Sequence, residues 1–462
     1  MKEKKQYHDK KQYRNGFTRF FLKNHHYNLK FLLSFLLVIL FGASVFTGLV
    51  ISKKLSLIKI DRGDDGLDFD NADESVTAEE ESLNFDPMYD VSDANSLNDW
   101  LLKWATNGGE KMYSKNIINC LLCGVDSKNG AVSDGRSDAM ILVSLNKKTK
   151  EITLLSFMRD AYTYMNINGE NRYYKVNSTF NWGGPATLVN TLENNYKIEI
   201  DNYICVDFKT FPKLIDALGG VTVEVQPYEA NYINRTSSCN IESGEAVTLS
   251  GKEALVFSRI RHSDSDGDFS RTRRQRLIIT ALIKSAQNAS AGQLNNMMNI
   301  VLPYVRTNYT RRQIVSYATQ ALMQGWLKYN MTEIVTPVVD PTETDPVVTG
   351  KDSYIRTGYG YAPEFVWIVD YQLAAHRIQT ALYGMSNIEI NDSARTSPFD
   401  FMTSKSGSSS YDDDYYYTTR SSYGNYNYDN DGDYNDNTTT TSFLRRFFGR
   451  GITTEPDRDN DN

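Results

Sequence analysis

A run of twenty-one uncharged residues at positions 31–51 divides the chain into two unequal parts. A helix of this length is what crosses the apolar core of a bilayer. Residues 1–30 carry nine lysines and arginines against two acids, a bias that places an N-terminus in the cytoplasm. A cleaved signal peptide is the competing interpretation, but it has a shorter apolar core, and the residues around Gly42 match its cleavage pattern poorly. The sequence therefore predicts a single-pass protein of the cell membrane, with everything after the span outside the membrane.

Composition divides the remainder of the chain. Residues 61–95 hold thirteen acids and one arginine with few large apolar side chains, as is typical of a disordered, self-repelling spacer. The end of the chain is rich in Ser, Thr, Tyr, Asn and Asp, with eight tyrosines at 411–434, and it predicts disorder. The predicted organisation is a basic cytoplasmic segment 1–30, a transmembrane helix 31–51, an acidic extracytoplasmic linker 52–95, a short helix and connector 96–112, a globular domain 113–385 and a disordered tail 386–462.

Strand-like and helix-like segments alternate within the globular domain. Strands are predicted at residues 116–124, 139–146, 151–157, 202–208 and 221–225, and helices at 185–196, 210–218, 271–289, 311–328 and 363–383. Such alternation favours an α/β fold in which a central mixed β-sheet is flanked by helices.

Residues 257–276 pack six arginines and three aspartates between apolar segments. A solvated charged surface is one interpretation, but arginine in place of lysine is favoured where planar, bidentate contacts to phosphate form. Arg271, Arg274 and Gln275 share one face of a predicted helix, whose N-terminus also attracts anions. The stretch therefore predicts an anion site, with Asp268 as a base or as an orienter of the arginines.

Two aspartates border the loop between the first two predicted strands of the domain. If these strands are neighbours, Asp126 and Asp138 meet at one edge of the sheet, where two carboxylates suit a hydrated Mg²⁺, with Mn²⁺ as the alternative. Aspartates that only cap turns are the competing interpretation. Arg136 beside them favours the metal, because a cation and an arginine can share one phosphate. Arg159 and Asp160 follow the next strand; alone they would form an ordinary surface ion pair.

Other chemistries are disfavoured. A C-x-x-C at Cys120 and Cys123 with only five histidines in the chain is a weak zinc signal. Four cysteines allow three disulfide pairings, and nothing in the sequence selects one. DNA binding is disfavoured, because the chain has a net charge of −7 and its arginines are predicted to lie outside the membrane.

The ordered motifs of this domain resemble those of the LytR-CpsA-Psr family of bacterial envelope proteins, strongly over residues 116–289 and weakly to 384. The motifs are Gly124-Val-Asp126, Gly135-Arg-Ser-Asp138, Arg159-Asp160, Lys175-Val-Asn177, Ile200-Asp-Asn-Tyr203 with Val206-Asp-Phe208, Leu214-Ile-Asp-Ala-Leu-Gly-Gly-Val221, Leu249-x-Gly-x-x-Ala-Leu255, Arg259-x-Arg261 and Gly267-Asp-Phe-x-Arg271-x-x-Arg-Gln275.

The resemblance implies an α-β-α domain and a phosphotransferase that uses Mg²⁺ to move a teichoic acid or capsular polysaccharide from undecaprenyl pyrophosphate to peptidoglycan. It implies metal binding by Asp126 and Asp138. It implies pyrophosphate binding by Arg136, Arg159, Arg259, Arg261, Arg271 and Gln275, and the predicted set also includes Lys175 from its motif and Arg274 from its helical face. Asp268 and Asp160 match conserved acids of the family, and we predict catalytic roles for Asp268, Asp160, Arg259 and Arg261. A polyprenyl-pyrophosphate pyrophosphatase and a non-catalytic lipid-binding regulator remain as alternative functions.

Overall fold

The computed structural model describes residue 56 and residues 59–61, 88–127, 135–260, 267–288, 302–339, 347–357, 363–391 and 395–404, with a few helical positions between 292 and 300. The predicted cytoplasmic segment, the anchor at 31–51, Arg261, most of the linker and most of the tail lie outside these residues. In the described part of the chain, no helix is both long and apolar enough to cross a membrane.

In chain order the elements are β1 (Lys59–Ile60), β2 (Tyr89–Val91), α1 (Ala94–Asn107), β3 (Ile117–Ser127), β4 (Gly135–Asn146), β5 (Glu151–Phe157), β6 (Ala161–Ile167), β7 (Glu170–Lys175), α2 (Ser178–Tyr196), β8 (Asn202–Asp207), α3 (Phe211–Ala217), β9 (Val221–Val225), α4 (Pro227–Ser237), β10 (Gly244–Leu249), α5 (Gly251–Arg259), α6 (Gly267–Asn288), β11 (Val305–Thr307), α7 (Arg311–Gln324), β12 (Asn330–Thr336), β13 (Gly350–Ile355), β14 (Glu364–Val369), α8 (Tyr371–Tyr383) and β15 (Met402–Ser404). Short 3₁₀ helices lie at Leu302–Tyr304, Trp326–Lys328 and Pro398–Phe401.

The central element is a mixed seven-stranded sheet in the order β1-β11-β8-β3-β4-β5-β12. Strand β3 pairs parallel to β8 and antiparallel to β4, and β5 pairs antiparallel to β4 and parallel to β12. The inner strands are rich in β-branched and apolar residues, because both of their faces are covered. The predicted mixed sheet is therefore confirmed.

Different layers cover the two faces of this sheet. On one face, residues such as Leu121 and Leu142 join a large core with α1, α2, α8 and a second sheet. On the other face, Ile118 and Ile141 pack with residues of α6 and α7, including Ile279. The helices predicted on the flanks of the sheet are thus present, and a second sheet adds a layer that the sequence did not predict.

The second sheet has six strands in the order β15-β2-β13-β14-β6-β7. Strand β14 falls where one continuous helix was predicted at 363–383, and only its second half is helical, as α8. Asp370 divides the two elements, because its side chain accepts a hydrogen bond from the Leu373 N–H and caps α8. The prediction of a single helix over 363–383 is therefore wrong.

Parts of the predicted linker and tail belong to the fold. Strand β2 pairs with β13 and with β15, although residues 61–95 and 386–462 were predicted to be disordered. Strand β1, in the part of the linker before residue 61, pairs with β11. Phe399, Phe401 and Met402 pack against the main core, and Arg395 pairs with Asp370 at 2.5 Å. These apolar and paired side chains order segments whose overall composition predicted disorder.

The helix boundaries also shift. Helix α2 begins at Ser178 rather than 185 and kinks at Gly184, whose φ of 72° is in the left-handed region open to glycine. Helix α6 begins at Gly267 rather than 271, so Asp268 lies in its first turn. An acid in this position is stabilised by the positive end of the helix dipole.

Candidate functional site

Strands β3 and β4 bring the two predicted metal ligands to neighbouring positions. Asp126 lies opposite Arg136 in the register, and Val125 lies opposite Ser137. Because Gly124 pairs with Ala139, the register passes over Asp138, which is the extra residue of a β-bulge. Bulges redirect a side chain locally and are frequent beside active sites. The predicted pairing of the two strands is confirmed.

Asp138 contacts residues from two further elements. Its Oδ1 accepts hydrogen bonds from Arg159 Nη1 at 3.2 Å and from Asn177 Nδ2 at 3.3 Å. Asn177 is fully buried and stands immediately before α2. The start of this helix therefore helps to fix the orientation of the Asp138 carboxylate.

Arg159 and Asp160 occupy a tight turn in which the chain passes from the first sheet to the second. The N–H of Ala161 donates to the Met158 carbonyl at 3.2 Å, and the N–H of Trp367 donates to the Asp160 carbonyl at 2.9 Å. The turn is thus anchored to β14 by its backbone. Its two charged side chains are held in place between the sheets.

The Asp160 carboxylate is buried among cations. It lies 3.3 Å from Arg159 Nε and 3.3 Å from Lys175 Nζ. Burial alone would raise the pKa of Asp160, but the charges of Arg159, Lys175 and Arg271 outweigh it and lower that pKa below its ordinary value. Asp160 is therefore ionised at neutral pH and serves to hold the surrounding cations.

Asp268 extends the same group of charges from the first turn of α6. Its Oδ1 pairs with Arg271 Nη2 and lies 3.7 Å from Arg159 Nε. Its other oxygen, Oδ2, is buried and accepts no hydrogen bond from the described residues. Arg271 itself is 2 % exposed, and its charge also helps to lower the pKa of Asp160.

Arg259 lies at the end of α5, on the solvent-exposed side of this group of charged residues. Its Nη2 lies 3.1 Å from Asp126 Oδ2, and its guanidinium lies over the Phe208 ring, 5.6 Å from the ring centre. Half of the Arg259 side chain and 42 % of the Asp126 side chain are exposed. A side chain at Gly124 would collide with the Phe208 ring, so the glycine permits this stacking. Among the predicted arginines that the structure describes, Arg259 is therefore the most exposed.

Arg274 does not join these residues. It is fully buried; its Nε pairs with the buried Glu229 at 2.7 Å, and its Nη1 donates to the Ile260 carbonyl at 3.0 Å. A pyrophosphate contact from Arg274 does not fit this burial, and we correct that prediction. Arg274 instead anchors the chain immediately after Arg259. Gln275 is buried on the same helix.

The two carboxylates of β3 and β4 fit a cation that keeps most of its ligands as water and phosphate. In the described residues, no group of three or more His, Cys, Asp or Glu side chains could hold a metal ion by itself. Mg²⁺ is commonly bound by one or two carboxylates together with substrate phosphates, which is the donor set that Asp126 and Asp138 offer.

A sequence profile of the LytR_cpsA_psr family matches residues 88–354, more than half of the chain. The matched region contains both carboxylates and all the arginines of the site described above. The chain belongs to the LytR_cpsA_psr family.

Two named relatives align with part of the domain. A polyisoprenyl-teichoic acid–peptidoglycan teichoic acid transferase TagU of Bacillus licheniformis is 37% identical over 194 residues, which cover 42% of this chain and 60% of that protein. The TagU of Halalkalibacterium halodurans is 38% identical over 196 residues, which cover 42% of this chain and 62% of that protein. The chain thus spans less than two thirds of the length of these relatives.

Solved structures of family members also align. The crystal structure of B. subtilis TagV is 26% identical to this chain and covers 58% of it and 98% of TagV, with a TM-score of 0.44. A structure of TagT bound to LIIa-WTA is 22% identical and covers 60% of this chain and 97% of TagT, with a TM-score of 0.45.

The structure adds residues that the sequence motifs did not assign to this family site. Asn177 lies within the motif Lys175-Val-Asn177, but its hydrogen bond to Asp138 is visible only in the three-dimensional structure. Glu364 contacts Lys175 from β14, and Glu229 pairs with Arg274 from α4. No local pattern marks these acids, because their partners lie far away in the sequence.

Proposed function

We propose that this protein is a membrane-anchored, Mg²⁺-dependent phosphotransferase that moves a glycopolymer of the teichoic acid or capsular type from undecaprenyl pyrophosphate to peptidoglycan. The observation that carries the proposal is the pairing of two carboxylates with two arginines at one edge of the sheet, Asp126 with Arg259 and Asp138 with Arg159. This combination can bind a cation and a diphosphate side by side. The names of the TagU relatives support the choice of substrates.

The arginines supply what phosphoryl transfer needs. Breaking a pyrophosphate bond places negative charge on the bridging and the equatorial oxygens, and fixed cations stabilise that charge without covalent chemistry. Arg259 is exposed and reaches the diphosphate directly, while Arg159 is held by Asp138, Asp160 and Asp268. A Mg²⁺ ion on Asp126 and Asp138 would neutralise phosphate charge when bound.

Lys175 and Arg271 lie behind the residues that are proposed to contact the diphosphate. Both are 2 % exposed and pair with Asp160 and Asp268, respectively. The charge of Lys175 helps to keep Asp160 ionised, and the carboxylates of Asp160 and Asp268 both lie against Arg159. We therefore assign to them the orientation of the site rather than the first contact with the diphosphate.

Asp268 is the proposed general base. Its Oδ2 accepts no hydrogen bond from the described residues, so it can accept a proton from the attacking hydroxyl of the wall acceptor. The neighbouring guanidinium of Arg271 keeps the opposite oxygen in place. The reaction then joins the acceptor oxygen to the glycopolymer phosphorus and releases the lipid phosphate.

The anchor predicted at residues 31–51 explains how the domain meets a lipid-linked donor. A tether at the membrane surface raises the effective concentration of the domain around a substrate confined to the same bilayer. The localisation is thus part of the proposal: one span, with the N-terminus in the cytoplasm and the catalytic domain outside.

The test uses the full chain in detergent with a polyprenyl-pyrophosphate-linked glycan, Mg²⁺ and peptidoglycan oligomers. We expect wall-linked product that is lost in Asp138→Ala and in Arg259→Ala. Arg172→Ala is the matched control, because Arg172 pairs with Glu170 on β7, outside the site. Retained transfer in both site variants would contradict the site assignment.

Two other outcomes identify the alternative functions. Release of lipid phosphate without linked product indicates a pyrophosphatase, in which water replaces the wall hydroxyl. Binding of the donor without any turnover indicates a lipid-binding regulator. The regulator does not explain the pairing of both carboxylates with arginines, since lipid binding alone does not require a cation site. The pyrophosphatase would use the same site and differs from the transferase only in the acceptor.

A further inference from the structure

One lysine is shared by two carboxylates where the two sheets meet. Lys175 Nζ lies 3.3 Å from Asp160 Oδ1 and 3.7 Å from Glu364 Oε2. Lys175 ends β7, and Glu364 begins β14 of the same sheet, while Asp160 lies in the turn after β5. The lysine side chain is 2 % exposed, so these carboxylates rather than bulk water balance its charge.

Glu364 is itself fixed in one orientation. The Tyr174 hydroxyl donates to its Oε2 at 2.5 Å, and the Thr357 hydroxyl donates to its Oε1 at 3.2 Å. Both carboxylate oxygens are therefore engaged by neutral donors, and the negative charge remains available to Lys175. The Glu364 side chain is 21% exposed, which places it at the border between the core and solvent.

Asp160 connects this pair to the arginines. One of its oxygens faces Lys175, while the other lies 3.3 Å from Arg159 Nε. Arg159 in turn reaches Asp138 through Nη1. The position of the Lys175 ammonium therefore decides how strongly Asp160 holds Arg159.

We propose that Glu364 is a positioning residue of the pyrophosphate site: by sharing Lys175 with Asp160, it leaves Asp160 free to orient Arg159 toward the bound diphosphate. The inference rests on the proposed function, which supplies the diphosphate. Without the charge of Glu364, the ammonium is drawn to Asp160 alone. Asp160 then holds Arg159 less tightly, and the guanidinium loses its fixed direction.

Binding of inorganic pyrophosphate to the full chain in detergent, at a fixed Mg²⁺ concentration, tests this role by calorimetry. We expect Glu364→Gln to weaken the affinity about tenfold, a typical size for coupling between contacting charges. Glu364→Asp keeps the charge and should restore most of the affinity. If Glu364 had a purely structural role, the pyrophosphate affinities of Glu364→Gln and Glu364→Asp would not differ according to the charge that each variant carries.

Tyr174→Phe is the matched control. It removes the hydrogen bond to Glu364 but leaves the charge, so the affinity should stay within about threefold of that of the wild type. The melting temperature of every variant is measured in parallel. Equal affinities in Glu364→Gln and the wild type, or equal losses in Glu364→Gln and Tyr174→Phe, would overturn the proposal.

A double variant tests whether Lys175 transmits the effect. In a Lys175→Met background, adding Glu364→Gln should change the affinity little, because the shared ammonium is gone. This comparison also serves if Glu364→Gln alone fails to fold, since the double variant leaves no unpaired ammonium in the core. A further loss of affinity in the double variant contradicts the role of Glu364. A wild-type chain that binds no pyrophosphate contradicts the proposed function itself.

Discussion

Asp138 and Arg159 pair across 3.2 Å and so join a carboxylate predicted to bind a cation to a guanidinium predicted to bind an anion. Asp126 and Arg259 repeat this relationship at 3.1 Å. Each arginine thus neutralises a carboxylate that is proposed to bind a divalent cation. In the proposed site, a cation bound to the carboxylates and a diphosphate bound to the arginines would replace these ion pairs, so each should strengthen the binding of the other.

We therefore predict that Mg²⁺ raises the affinity of the full chain for inorganic pyrophosphate by about tenfold or more, a coupling of ~1.4 kcal/mol. The affinity is measured by calorimetry with and without Mg²⁺, with allowance for the magnesium pyrophosphate that forms in solution. Mn²⁺ should act in the same direction, because it also prefers oxygen ligands.

Asp138→Asn provides the test of this coupling. The amide weakens the cation site and removes one of the three carboxylate charges around Arg159, so the affinity without Mg²⁺ should not fall, while the enhancement by Mg²⁺ should be lost. Glu151→Gln, at the exposed start of β5, is the matched control and should keep the enhancement. An undiminished Mg²⁺ effect in Asp138→Asn would show that this carboxylate is not a ligand.

Local patterns predicted those parts of the fold that local chemistry determines. Strand β5 was predicted at its observed bounds, because a run of apolar and β-branched residues ends in a turn on each side. A similar apolar run, Glu364–Val369, was assigned to a helix, since a short buried strand and a buried helical turn have no distinguishing periodicity. Pairing with β13 and β6 decides its conformation, and the sequence does not display those partners.

In the functional site, too, local patterns identified some residues correctly, while others depend on tertiary partners. Asp126, Asp138, Arg159 and Arg259 were identified from motifs and do meet in pairs. Arg274 was grouped with them by helical spacing alone, yet its direction is set by Glu229 on another helix. Spacing along one helix predicts which residues share a face, but the partner that the face meets depends on the tertiary fold.

The burial of Arg274 leads to a stability prediction. Arg274→Met removes the closer of the two cations that pair with the buried Glu229 in the described part of the chain. It leaves Arg273 at 3.5 Å and the hydrogen bond from the Gln226 N–H at 2.9 Å, and it should reduce the free energy of unfolding by about 3 kcal/mol. Arg273→Met is the matched control; because that side chain is 44 % exposed, the loss should stay below about 1 kcal/mol. Urea unfolding followed by circular dichroism measures both. Equal midpoints for the two variants would contradict the structural role of Arg274.

A second stability prediction concerns acid pH. The pKa of Asp160 is lower in the folded chain than in the unfolded chain, so its contribution to stability is complete above about pH 4 and is lost as the pH falls toward the folded pKa. The difference in free energy of unfolding between the wild type and Asp160→Asn should therefore be constant near neutral pH and shrink below about pH 4. Urea titrations at a series of pH values measure it, and a difference that stays constant into the acid range would contradict the pairing.

The last prediction concerns the thiols, because the four cysteines are free in the structure. Burial raises the pKa of Cys120 to about 12 and that of Cys205 well above its ordinary value, and Cys123 is buried beside Cys205 on the neighbouring strand. Since the thiolate is the reactive form, these three should resist a thiol reagent in the folded chain. Cys120 and Cys239 are both only partly buried, but the raised pKa of Cys120 disfavours its thiolate. Cys239 should therefore react first, though slowly, because burial raises its pKa too.

The reagent should therefore detect one slowly reacting thiol in the native chain and all four cysteines in denaturant. Cys239→Ser should abolish the native reaction without changing the melting temperature, because it removes one partly buried sulfur. Cys205→Ser is the contrasting variant: it places a hydroxyl among apolar neighbours and should lower the melting temperature while leaving the native reaction intact. Fewer than four thiols in denaturant would reveal a disulfide and contradict the structure, and rapid native labelling of Cys123 or Cys205 would contradict the packing of β3 against β8.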